Sequence, residues 1–164
     1  MVDQALVLFG RPQGITADIG TLREGAPAPD YFHAILRYPD KRVLLHSSKL
    51  AAANALRFAV HGTGGSWIKH GIDPQEAAVI AGQAPGGDNW GYDPHDAVLT
   101  IGEAELTTTP RVNQRGDYRL FWRALAAALR GEGPNPVPAS EALTVIEVLD
   151  AGLRSATQHA ETSL

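Results

Sequence analysis

Residues 31–49 read YFHAILRYPDKRVLLHSSK, and this stretch predicts two antiparallel strands joined by a tight turn. Apolar residues alternate with period two on both sides of Pro39-Asp40, a pair that favours a turn. We therefore expect strands 31–38 and 42–49 to be neighbours. The opposite face of the first strand is partly polar, so we expect it to be free for solvent, a second subunit or a substrate. It carries Tyr31, His33, Ile35 and Arg37.

The elements on either side of this hairpin predict an α+β fold: an open, mostly antiparallel β-sheet with helices packed on one face. Apolar spacing predicts helices at 2–9 and 117–130, a short helix capped by Asp73, and a last helix capped by Ser140. Strands are predicted around Ile15–Ile19, Phe58–Val60, 98–101 and 104–108, with a Gly/Pro-rich loop over 84–96. We expect residues 1–158 to form a single domain and 159–164 to be a frayed tail.

The last two helices each carry an apolar stripe at helical spacing, which is typical of a buried face. In the helix at 117–130 the stripe is Leu120, Phe121, Ala124, Leu125, Ala128 and Leu129. In the last helix it is Leu143, Ile146, Leu149 and Leu153.

Composition excludes several classes of function. The chain has 164 residues and no cysteine, which removes disulfide frameworks, thiol catalysis and Cys-based metal sites. Its net charge of −4, with no basic cluster, argues against binding to nucleic acid or to an anionic membrane. No apolar run is long enough to span a bilayer, and the first residues do not resemble a signal peptide. These features predict a soluble, cytoplasmic protein.

A glycine-rich segment and the histidines could each hold a ligand, but both have a simpler interpretation. The segment Gly62–Ser66 follows a strand and could cradle phosphate, although a reversal between strands explains its glycines better. Six histidines are present, and those at 33, 46 and 61 lie on predicted strands. They could form a metal site, but scattered half-buried histidines account for them at least as well. We expect no metal site.

A corner before the short helix places a cation and an imidazole, Lys69 and His70, beside a helix N-terminus. Such a corner could bind an anionic or polyhydroxyl ligand, or it could be a solvated loop. Tyr118 opens the helix at 117–130, where Asp117 can serve as the N-cap. By residue chemistry alone, the chain holds no complete active site.

Several motifs, spread over nearly the whole chain, resemble the Gfo/Idh/MocA oxidoreductases. The part of those enzymes that they resemble is the C-terminal half only. They include the opening VDQAL-x-LFG-x-P, the strand start Asp30-Tyr31-Phe32-His33, and Gly116-Asp117-Tyr118 with Pro136-Val137 and Glu141-Ala142 behind it. The longest is GTGGSW-x-K-x-G-x-DPQE, at 62–76.

The resemblance implies the substrate-binding and oligomerisation domain of an NAD(P)-dependent oxidoreductase acting on a sugar, cyclitol or related polyol. It implies that NAD or NADP binds to an N-terminal Rossmann domain. The same domain would supply the catalytic Lys, in a Glu-Lys-Pro motif that this chain lacks. It also implies that the chain begins a few residues past the catalytic centre, so that alone it binds no cofactor, has no catalytic residues and is inactive. We expect Lys69, His70 and Tyr118 to face the substrate, and the open sheet face to form a homodimer.

Two other hypotheses remain open at this point. One is a stand-alone binding or scaffold protein that uses the same sheet without redox chemistry. The other is a metal hydrolase that uses the strand histidines, which predicts stoichiometric metal in the purified protein.

Overall fold

A computed structural model describes residues 1–53 and 56–164, and these divide into two compact units. Unit 1 comprises residues 1–52 and 137–164, and unit 2 comprises the described residues of 53–136. The elements, in chain order, are α1 (Val2–Phe9), β1 (Gly14–Gly20), β2 (Tyr31–Arg37), β3 (Arg42–Ser48), β4 (Leu56–Gly62), β5 (Gly65–His70), α2 (Gln75–Ile80), β6 (Ala97–Ile101), β7 (Thr107–Arg111), α3 (Tyr118–Leu129), α4 (Ala139–Gln158) and β8 (Thr162–Ser163).

The predicted α+β class is confirmed, but the strands divide between two antiparallel sheets. Unit 1 holds the order β3-β2-β1-β8, and unit 2 holds the order β4-β5-β6-β7. Alternation along the sequence identifies strands without saying which edges pair, because pairing is a contact between distant segments. The predicted antiparallel pairing of β2 with β3 is confirmed, and Ile35 lies opposite Leu44.

The core of unit 1 lies between its sheet and the helix α4. Leu36 and Val148 are fully buried there. The face of α4 that packs inward is not the leucine-rich stripe but the small-residue face of Val148, Ala151, Gly152 and Ser155. The backbone N–H of Ala17 in β1 donates to the buried Ser155 hydroxyl at 3.0 Å.

The apolar stripes of α3 and α4 are largely exposed. Leu143, Ile146, Leu149 and Leu153 of α4 are each exposed by about half of their surface. No residue of α3 is buried, and Leu129 at its end is 81% exposed. Helical spacing finds such a stripe correctly, but it cannot say whether a second surface covers it.

The predicted frayed tail is wrong for residues 162–164. Thr162 and Ser163 form β8 against β1, and the Leu164 N–H donates to the Gln13 carbonyl at 3.1 Å. Glu161 forms an ion pair with Arg37 at 2.7 Å. A two-residue strand has no periodicity to detect, so sequence alone could not identify it.

Unit 2 confirms the interpretation of the Gly62–Ser66 segment as a reversal between strands. Gly62 pairs with Gly65 across a two-residue turn, and the chain continues into β5 rather than into a helix. The last strand of this unit, β7, lies later in the chain than the predicted strand at 104–108 and contains Pro110 opposite Val98. Proline is tolerated there because β7 is at the edge of its sheet.

Candidate functional site

A buried ion pair anchors the end of β5 in unit 2. The Nζ of Lys69 donates to Asp93 Oδ2 at 2.6 Å, and the two side chains are only 10% and 6% exposed. The same ammonium also donates to the His70 carbonyl. A lysine ammonium has three N–H donors, so these two bonds leave one for another acceptor.

The carboxylate of Asp93 forms hydrogen bonds within the loop before β6. Its Oδ1 accepts the His95 backbone N–H at 2.9 Å and lies 3.1 Å from the His95 Nδ1. Burial raises the pKa of Asp93, but the hydrogen bonds from Lys69 and His95 outweigh it and hold that pKa below its ordinary value. The Asn113 side chain donates to the His95 carbonyl at 2.8 Å, which fixes the loop from a second side.

Gln75 joins the start of α2 to the start of α3. It is 1% exposed, and its Oε1 accepts the Tyr118 backbone N–H at 2.8 Å. Asp73 accepts the Gln75 backbone N–H at 2.9 Å, as an N-cap side chain does, although the helix begins at Gln75 with Pro74 as its N-cap. A Cβ at Gly116 would lie 2.5 Å from Gln75 Nε2 and 2.8 Å from Asp73 Oδ2, so a larger residue there would displace these two side chains.

The cap predicted for α3 is confirmed, whereas that for α4 is not. Asp117 accepts the Arg119 backbone N–H at 3.0 Å, and both of its oxygens bind the Arg119 guanidinium. The hydrogen bond from Arg119 lowers the pKa of Asp117. At α4 the N-cap is Pro138, not Ser140, and no side chain caps that end.

All three residues predicted to face the substrate lie in unit 2. Lys69 and His70 end β5, and Tyr118 begins α3. Gln75 links the segment after β5 to the start of α3, because its side chain accepts the Tyr118 backbone N–H. Lys69 is buried against Asp93, His70 is exposed, and the Tyr118 side chain is half exposed. Sequence reasoning missed Asp93 and Gln75, although their buried polar side chains organise this region.

The described residues do not assemble a metal centre. Among residues 1–53 and 56–164, no three His, Asp or Glu side chains are placed to hold an ion. The rings of His33 and His46 lie 5.5 Å apart in unit 1, whereas His61 lies in unit 2 and its Nδ1 is 2.8 Å from the Ser66 hydroxyl.

The glycine-rich segment also does not fit a dinucleotide. Gly62 and Gly65 pair with each other in the ladder, and a Cβ on Gly65 would lie 2.4 Å from the Thr100 carbonyl. A pyrophosphate cradle needs an open turn that leads into a helix N-terminus, and this turn leads into a strand.

Comparison with known proteins decides the family. The family model described as "Oxidoreductase family, C-terminal alpha/beta domain" matches residues 1–164. The chain belongs to the Gfo/Idh/MocA oxidoreductase family. The YdgJ oxidoreductase of Escherichia coli, which is uncharacterized, is 45% identical over 170 residues, covering 100% of this chain and 48% of that protein.

Two further relatives support the assignment. The scyllo-inositol 2-dehydrogenase (NADP(+)) IolW of Bacillus subtilis is 36% identical over 163 residues, covering 96% of this chain and 45% of that protein. A solved structure from Yersinia pestis superposes with a TM-score of 0.94 at 44% identity, covering 99% of this chain and 47% of that one. The chain thus spans about half the length of the curated relatives it matches.

Over the residues that the structure describes, no helix combines the length and the apolar character needed to cross a membrane.

Proposed function

We propose that this chain is the substrate-binding and oligomerisation domain of an NAD(P)-dependent oxidoreductase that acts on a sugar, cyclitol or related polyol. Family membership supports the oxidoreductase assignment. A relative at 36% identity is described as acting on scyllo-inositol with NADP(+), which supports the cyclitol class and the nicotinamide cofactor.

The single observation that carries the proposal is the hydrogen bond from the Tyr118 backbone N–H to Gln75. It holds the start of α3 against the segment that follows Lys69 and His70. A polyol offers hydroxyl groups that both donate and accept hydrogen bonds. The remaining N–H of Lys69, the His70 imidazole and the Tyr118 hydroxyl supply the matching partners.

Catalysis would require groups from outside these residues. Hydride transfer needs a nicotinamide held against the substrate carbon and a base for the hydroxyl proton. The chain contains neither a Gly-x-Gly-x-x-Gly nor a Glu-Lys-Pro motif, and its glycine-rich turn does not fit a dinucleotide. We infer that an N-terminal Rossmann domain supplies both groups and that this chain alone is inactive.

A calorimetric titration with NAD(H) and NADP(H) tests whether the nucleotide site lies outside this chain. We expect no binding heat from this chain with any of the four nucleotides. Micromolar binding would mean that a nucleotide site exists within these residues, and the proposed division would be wrong.

Substrate contact is tested separately, by an NMR titration of the isotope-labelled chain with scyllo-inositol. We expect the largest shifts at Lys69, His70 and Tyr118, and we expect Tyr118→Phe to weaken binding. Tyr92→Phe is the matched control, because Tyr92 and Tyr118 are both 49% exposed and lie in the same unit. Equal effects of the two variants, or shifts confined to unit 1, would remove the substrate assignment.

For oligomerisation, we propose that the outer face of the unit 1 sheet pairs with a second copy. Ile35 is half-buried there, and the neighbouring Leu44 is 60% exposed. Ile35→Asp should shift a dimer towards monomer in light scattering. Arg37→Glu should do the same, although it also breaks the ion pair with Glu161. Val7→Asp, on the exposed side of α1, is the control for an added charge.

An unchanged mass for both sheet variants would refute pairing through this face. A dimer that persists while no polyol binds at Lys69, His70 and Tyr118 would instead favour a scaffold protein that uses the same sheet.

A further inference from the structure

Two histidines lie side by side on the outer face of the unit 1 sheet. His33 of β2 pairs directly with His46 of β3, and the centroids of their rings are 5.5 Å apart. The Tyr31 ring meets the His46 ring edge-on, with centroids 5.6 Å apart. Directly opposite residues of an antiparallel pair share a face, as do residues two apart in one strand. The three rings therefore form one continuous surface, which we call the histidine patch.

The histidine patch adjoins the apolar residues of the proposed dimer face. Ile35 follows His33 on the same face of β2, and Leu44, which lies opposite Ile35, precedes His46 on β3. A neutral imidazole can be buried beside such residues, whereas a buried imidazolium loses the water around its charge and costs much more free energy. The protonation state of the patch therefore decides how readily a second protein surface can cover this face.

The fixed charges that share this face with the histidine patch balance one another. Arg37 of β2 forms its ion pair with Glu161, and Arg42 of β3 lies directly opposite Arg37. On β1, Asp18 lies directly opposite His33. Two carboxylates thus share the face with two guanidiniums. Two-fold pairing brings the same surface together from both copies, so a face without net charge can pair with itself.

Mild acid removes this balance. Histidine is the side chain that ordinarily changes charge between about pH 8 and 5, whereas carboxylic acids, phenols and guanidiniums titrate outside that range. The hydrogen bond from Arg37 lowers the pKa of Glu161, so that carboxylate stays ionised. Asp18 can offset one imidazolium of the patch but not two. Two-fold pairing doubles the excess of positive charge, because each copy brings its own patch.

We propose that protonation of His33 and His46 controls the self-association of this chain. The outer sheet face pairs with a second copy while both imidazoles are neutral, and the copies separate when the imidazoles are charged. This inference rests on the proposed homodimer and adds its regulation. Because the separated chain binds more protons than the dimer, the dissociation constant rises as the pH falls, by up to about tenfold per pH unit for each proton that pairing releases.

The test is sedimentation velocity of the full chain over a series of concentrations, which gives the dissociation constant of the dimer. Measurements at about pH 7.5 and about pH 5.5 bracket the ordinary titration of histidine. The ionic strength is held at about 0.15 M, so that screening does not change between them. We expect the dissociation constant to be about tenfold or more higher at the lower pH, with unchanged circular dichroism.

Two variants connect the pH dependence to the histidine patch. The double variant His33→Gln, His46→Gln keeps two polar side chains that cannot gain a proton, so its dissociation constant should change by less than about twofold between the two pH values. His159→Asn is the matched control. It removes an exposed imidazole from the same unit, at a φ of 52° that asparagine tolerates, and should keep the full pH dependence.

Any of the following results overturns the proposal. A dimer that is equally strong at both pH values would refute the regulation while the homodimer itself stands. A chain that is monomeric at every pH and concentration would refute the homodimer together with its regulation. If the double variant keeps the wild-type pH dependence, other groups take up the protons, and if it is monomeric at both pH values, the rings act through packing rather than charge. Unfolding of the chain before the dimer dissociates would also refute control by the histidine patch.

Discussion

Removing the ammonium of Lys69 should strongly destabilise unit 2. Lys69→Met keeps most of the aliphatic stem but leaves the carboxylate of Asp93, which is only 6% exposed, without its cation. Losing one partner of a buried ion pair costs about 3–5 kcal/mol. We expect about 3 kcal/mol here, because the backbone N–H of His95 still donates to Asp93.

Urea unfolding followed by tryptophan fluorescence measures this loss for unit 2 specifically. All three tryptophans, at 67, 90 and 122, lie within residues 53–136. With a slope of about 1 kcal/mol per molar urea, the midpoint should fall by ~3 M. Asp93→Asn and the double variant complete a double-mutant cycle, which separates the coupling between the two side chains from their individual costs.

Arg130→Met is the matched control for loss of a cation in unit 2. Arg130 pairs with Glu132, but both side chains are more than half exposed, so the cost should be about 0–1 kcal/mol. If Lys69→Met cost no more than this control, the ion pair would not organise the end of β5, and the reasoning about the site would fail.

Three further predictions concern other contacts. Gly91→Ala should cost about 3 kcal/mol or more by urea unfolding, since it combines left-handed strain with a backbone clash, whereas Gly64→Ala, in open space, should change stability by less than about 0.5 kcal/mol. Because the pKa of Asp93 is lower folded than unfolded, its stabilisation is complete above about pH 4 and is lost as the pH falls through the folded value. Asp93→Asn should flatten that acid-side loss in a fluorescence titration. Ser155→Ala should cost about 1–3 kcal/mol in thermal unfolding followed by circular dichroism, since it leaves the Ala17 N–H buried without an acceptor. The first argument would be contradicted if Gly91→Ala left stability unchanged. The second would be contradicted if Asp93→Asn left the acid profile unchanged, and the third if Ser155→Ala melted at the wild-type temperature.

Local features of the fold could be predicted because they depend on residues close in the chain. The β2–β3 hairpin follows from alternation around Pro39-Asp40, and the start of α3 follows from the cap at Asp117. The division into two sheets could not be predicted, because it depends on which strand edges pair over long distances. The tail β8 is too short to show a period.

In the candidate site, too, residues were predictable where they depend on local sequence, whereas contacts between distant residues were not. Lys69, His70 and Tyr118 are predicted from their places before α2 and at the start of α3, and their contact with a substrate stays a prediction. The carboxylate that binds Lys69 is 24 residues further along the chain, in a loop without periodicity, so no pattern joins the two. Gln75 resembles an ordinary first-turn residue until its side chain is found to accept a backbone N–H 43 residues away.

The division of unit 1 into two segments of the chain has a consequence for synthesis on the ribosome. The strands β1–β3 emerge before α4, which covers them, and α4 emerges only after residues 53–136 have been made. At roughly 5–20 residues per second, the apolar face of the nascent sheet waits on the order of 10 s for its helix. Unit 2 is contiguous and can fold during that interval. The strands β1–β3 therefore stay without their covering helix for the whole of that interval, and their apolar face is open to chaperones.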